Sequence, residues 1–157
     1  MLYWDEVWEK HTARVEVLKS QLRHELALRC LERALNKCSV VQPTTRQAVA
    51  QLRRGERVRG SDLEDLEEAA EDSLVAGEFD LSMAVVLLAR TPGSLSVDDT
   101  LECMSYSYQV ILNLEIISRL QCTVTESEVR EMEKQSAACL RAIDQQLLDL
   151  AAVEGGS

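Results

Sequence analysis

Few residues in this chain have the type and spacing to do chemistry. His11 and His24 are the only imidazoles. Thirteen residues apart on one predicted helix, they would stand about 20 Å from each other, too far to share a metal ion. Five cysteines lie at 30, 38, 103, 122 and 139, an odd number with no C-x-x-C pair. Cys30 and Cys38, eight residues apart on a helix, would be about 12 Å apart, beyond the reach of a disulfide. Reduced, packed cysteines of a cytoplasmic or nuclear protein are the expectation. A thiol nucleophile would need a tertiary Cys–His contact to Cys103, Cys122 or Cys139, which are expected on apolar helical faces. No glycine-rich phosphate loop, H-E-x-x-H or G-x-S-x-G motif is present. The reading is therefore not an enzyme, with no catalytic residue, no metal and no cofactor.

Charge offers two other candidates. Arg53, Arg54, Arg57 and Arg59 form the one dense basic cluster, suited to phosphate, nucleic acid or an acidic partner. No aromatic residue is interleaved for base stacking, and acids follow at once, so a solvated, balanced loop is the plainer reading. Seven Asp and Glu fall among residues 62–72 without the calcium-loop pattern, which reads as a solvated helix face. Residues 1–60 carry 12 Lys and Arg against 7 Asp and Glu, whereas residues 61–157 carry 5 against 20. A net charge of −10 argues against general nucleic-acid binding, which needs clustered cations to neutralise phosphates.

The third candidate is aromatic. Leu2, Trp4, Val7 and Trp8 would share one helical face, the spacing with which a helix lies in a partner's groove. The competing reading folds both indoles back over the end of the bundle as ordinary core.

These residues must be positioned by helices. The longest apolar run, Val97 to Gln121, has no charge between Glu102 and Glu115 and predicts a central helix that must be covered on all sides. Trp4 to Cys38 holds neither Pro nor Gly and predicts one long first helix, broken at most once. A short helix follows, capped by Thr44 or Thr45. A third opens on a Ser61/Glu64 capping pattern, with Leu63, Leu66, Ala70 and Leu74 inward and Gly77 as its stop. The run from Leu81 to Arg90, apolar on every side, is assigned as a helix starting at Asp80 or Ser82. Ser96 with Asp99, and Thr125 with Glu128, cap the last two. Val129, Met132, Leu140, Ile143, Leu147 and Leu150 then make a four-and-three seam suited to pairing, within the chain or with a second copy.

An all-α, single helical bundle of five or six helices follows, with a long N-terminal helix and two long C-terminal ones. One domain spans residues 1–154, and 155–157 form a flexible tail. The N-terminal ten residues lack a signal-peptide pattern, and the longest uncharged stretch is too short to cross a bilayer. The expected function is a non-enzymatic helical protein–protein interaction module, an adaptor or a subunit of a larger assembly, meeting another protein or a second copy as a homo-dimer or hetero-complex. The alternative is an acidic regulator that blocks a nucleic-acid-binding protein, or a phosphate contact through Arg53 to Arg59.

Overall fold

The computed structural model describes residues 1–156, and among these every regular element is helical. Nine α-helices run in order: α1 Tyr3–Glu9, α2 Thr12–Glu16, α3 Ser20–Lys37, α4 Pro43–Arg53, α5 Gly60–Glu71, α6 Glu78–Arg90, α7 Val97–Glu115, α8 Glu126–Gln135 and α9 Ala137–Gly155. A 3-10 turn at Ile117–Arg119 follows α7. Of the tail expected to be flexible, Gly155 ends α9 and Gly156 caps it, while Ser157 lies outside the described residues.

α3 and α7 are the shared spine. One face of α3 (Ala27, Leu28, Leu31, Ala34, Leu35) meets α4, α5 and α6 in one hydrophobic cluster, to which α7 adds Cys103 and Val110. Leu26 and Cys30 of α3, with Met104, Tyr108 and Leu112 of α7, belong to a second cluster, closed by α1, α2, α8 and α9. The predicted central helix is thus covered on two sides, although it ends at Glu115, short of Gln121.

Three boundaries differ from the sequence expectation for identifiable reasons. The long first helix is three helices that fold back. Burying Trp4, Trp8, Val15 and Leu18 in one cluster requires the chain to turn. Arg23 bridges the second turn: its guanidinium donates to the Leu18 carbonyl at 2.6 Å, a group that a continuous helix would have paired, and to the Leu95 carbonyl at 2.7 Å in the loop before α7. The last helix breaks at Ser136, whose hydroxyl accepts from the Cys139 amide and so caps a new helix inside the expected seam. Two expected caps are not used: α4 starts with Pro43 in its first turn behind Gln42, and α5 starts behind Arg59. The Ser96/Asp99 and Thr125/Glu128 caps form as expected.

The third difference exposes side chains. α5 stops at Glu71, so Leu74 leaves the inner stripe assigned to it, and Gly77 is the N-cap of α6 rather than the stop of α5. At φ +81°, Gly77 occupies left-handed space, and a Cβ there would stand 3.1 Å from Val110 Cγ1. Only glycine suits this close approach of the turn to α7.

Candidate functional site

The aromatic face points inward. Trp4 and Trp8 are 4% and 2% exposed, with ring centroids 5.9 Å apart and Trp4 stacked 6.2 Å from Tyr108. Leu2 and Val7 are half-buried against the same cluster. The surface that the sequence offered as a partner anchor is covered by the chain's own α7, α8 and α9. A buried carboxylate does the tethering: Glu133 of α8, 0% exposed, accepts from the Tyr3 amide at 2.8 Å, the Trp4 amide at 3.4 Å and the Tyr108 hydroxyl at 2.6 Å. It thereby meets the positive end of α1 with negative charge. Trp4 Nε1 donates to Gln146 at 2.7 Å, and Gln146 donates to the Met104 carbonyl at 3.1 Å. Trp8 Nε1 is buried without a hydrogen-bond partner among the described residues. Nothing in the sequence marked Glu133 as special, because a lone Glu on an amphipathic helix reads as solvated.

The seam from Val129 to Leu150 serves the same cluster. Val129, Ile143 and Leu150 are buried, with Met132 and Leu147 packed against them and Leu140 half-buried. The break at Ser136 places the seam on two helices.

The basic cluster is largely spent within the chain. Arg53 of α4 pairs with Glu25 at 2.8 Å and with Glu32, tying α4 to α3. Arg54 pairs with Glu56 at 2.7 Å and Arg59 with Asp62 at 3.1 Å, whereas Arg57 has no ion pair among the described residues. The compensating acids are therefore mostly Glu25, Glu32 and Glu56, rather than the run that follows.

Cys30, Cys38, Cys103 and Cys139 are buried, and burial pushes each thiol upward from its ordinary range. Cys122 corrects the expectation of five packed cysteines. It lies exposed in the loop before α8 and not on an apolar helical face. Among the described residues no group of three His, Cys, Asp or Glu stands close enough to hold a metal, and no helix is long and apolar enough to cross a membrane.

Two surface features remain. A groove of about 450 Å³ runs between α3, α7 and α9 over Ala34, Ile111, Leu114, Ala138 and Ala142, rimmed by polar and charged side chains such as Arg33, Lys37, Glu115 and Arg141. Arg33 closes one side through Asp149 at 2.6 Å. The other feature is the turn between α5 and α6. Leu74 is fully exposed at 101%, Phe79 at 47% and Val75 at 43%, in six consecutive residues. The turn is held in place: Ser73 Oγ donates to Glu78 Oε2 at 2.5 Å and accepts from the Val75 amide at 3.1 Å, while Gly77 sits on Val110. Beside it Asp80 is buried, with Asn113 donating to its carboxylate at 2.7 Å; burial raises that carboxyl to about 6. The sequence signal for this turn was Asp72-Ser73, two poor helix formers ahead of Leu74.

Compared with known proteins, the chain matches no family model, no curated protein and no solved structure.

Proposed function

We propose that this chain is a non-enzymatic helical protein–protein interaction module, an adaptor or a subunit of a larger assembly. The observation that carries the reading is the fixed turn presenting Leu74, Val75 and Phe79 to solvent. Singly exposed hydrophobics are ordinary, and Val17, Val40 and Leu148 are of that kind. Three within six residues differ, because a loop free to rearrange would turn at least one of them inward. Here the two hydrogen bonds of the Ser73 hydroxyl and a left-handed glycine packed close to α7 hold them out. Burying each against a partner is worth roughly 1.5–3 kcal/mol. The five unbridged cysteines suit a reducing compartment, the cytoplasm or nucleus.

The test is the mass of the chain as it occurs in its own cells, measured by light scattering after gentle purification, beside the recombinant chain alone. The reading expects a heavier species from cells that returns to 17.6 kDa when Leu74→Ser and Phe79→Ser are introduced. A lone 17.6 kDa chain from cells, or a complex indifferent to both substitutions, would overturn it.

A further inference from the structure

We infer that the partner surface matched to this turn is a cationic, apolar-faced segment of another protein. The inference rests on the interaction reading above and names the chemistry of the partner. From Gly60 to Ala89 the sequence contains no Lys or Arg, and nine Asp and Glu fall in the same stretch. α5 and its C-cap Asp72 arrange five of them, Glu64, Asp65, Glu68, Glu71 and Asp72, as one exposed stripe at three- and four-residue steps, opposite buried Leu63, Leu66 and Ala70. The stripe runs straight into Leu74.

Its charge is unspent. Several other acids are balanced within the chain: Glu67 pairs with Arg90, Asp62 with Arg59, Glu25 and Glu32 with Arg53, and Glu6 with Arg130. None of the five stripe carboxylates has a hydrogen-bond or ion-pair partner among the described residues. An apolar knob at the end of an uncompensated acidic stripe fits a segment with one apolar face and lysines or arginines beside it. In such a complex the apolar side chains govern dissociation, and the carboxylates steer encounter and fix orientation.

The same charge disfavours the other occupants. Anionic lipid and nucleic acid would be repelled by the stripe. A second copy meeting this one through a two-fold contact would set the stripe opposite itself.

The test uses the full chain, isotopically labelled, and backbone amide shifts. The probes are a lysine–leucine amphipathic helical peptide of about 18 residues, its glutamate–leucine counterpart, and zwitterionic and anionic vesicles. The inference expects the lysine–leucine peptide to shift residues 72–80. Binding should weaken about tenfold on Glu71→Lys plus Asp72→Lys, fall similarly in high salt, and vanish on Leu74→Ser plus Phe79→Ser. All four side chains are exposed, so circular dichroism should show an unchanged fold. Shifts centred elsewhere, or shifts at 72–80 indifferent to the charge reversals, would overturn the inference. Equal binding of the glutamate–leucine peptide at 72–80 would reject a cationic partner while leaving the turn as an interaction surface. Vesicle binding lost with Leu74→Ser would assign the turn to lipid, and concentration-dependent shifts there without any peptide would assign it to a second copy.

Discussion

Replacing Trp4 and Trp8 separates a core role from a partner-anchoring one. Each ring is more than nine-tenths buried, and truncating a buried Trp to Ala costs about 3–5 kcal/mol through lost transfer energy and the cavity left behind. Trp4→Ala also strips Gln146 of its donor, adding about 1–3 kcal/mol for a buried polar group left without a partner. The rings touch, so the two costs do not simply add. Even so, the pair approaches the whole stability of a domain this size, about 5–15 kcal/mol. Trp4→Ala plus Trp8→Ala should therefore leave the chain unfolded or close to it by far-UV circular dichroism. A finer contrast isolates the hydrogen bond. Trp4→Phe removes ring volume and the bond to Gln146, whereas Trp8→Phe removes similar volume and an N–H that has no partner. In urea unfolding, Trp4→Phe should cost roughly 1 kcal/mol more than Trp8→Phe. A double alanine variant with a wild-type midpoint would refute the buried placement, and equal phenylalanine variants would refute the hydrogen bond's contribution.

Four further outcomes are expected. Asp80→Asn should stabilise the protein by roughly 1–2 kcal/mol at neutral pH, a figure discounted for partial solvent access from the linkage value. The folded carboxyl titrates near 6 against 3.8 for the free group, so between those values the folded state holds the extra proton. Stability from this group thus rises as pH falls from about 6 toward 4, and the advantage of the variant in urea unfolding should fade over the same window. Glu133→Ala should cost roughly 3–5 kcal/mol in chemical denaturation, because two amides of α1 and the Tyr108 hydroxyl lose a buried acceptor. Arg53→Ala should cost only about 1 kcal/mol, since its pairs to Glu25 and Glu32 are part-exposed, and a larger loss in thermal unfolding would contradict that. Brief native labelling with a thiol reagent should add a single adduct, at Cys122, by mass spectrometry.

Helix type was legible wherever apolar spacing and a side-chain cap agreed, as at Ser96 and Thr125. The breaks were not. No proline or glycine marks the turns near His11 and Val17; they follow from burying Val15 and Leu18 together with two tryptophans, and the Arg23 side chain, five residues on, takes up the Leu18 carbonyl at the second turn. The break at Ser136 falls inside the seam from Val129 to Leu150, whose apolar spacing continues across it and gives no sign of the cap. The indole face was visible in the sequence, but its direction was not, since the residue that draws α1 inward is Glu133, 130 positions from Tyr3. The exposed turn was hidden by the rule that placed Leu74 on an inner stripe: periodicity continued past the point where Asp72 and Ser73 end the helix.

We propose that the turn at Leu74 to Phe79 is where this protein meets another. A photo-crosslinking amino acid placed at position 74, with position 17 as an equally exposed control, tests it most directly in cells of the source organism. The account predicts a discrete adduct from position 74 alone, mapped by mass spectrometry to a lysine- or arginine-rich segment of another protein. Indistinguishable adducts from the two positions, or none from position 74, would contradict it.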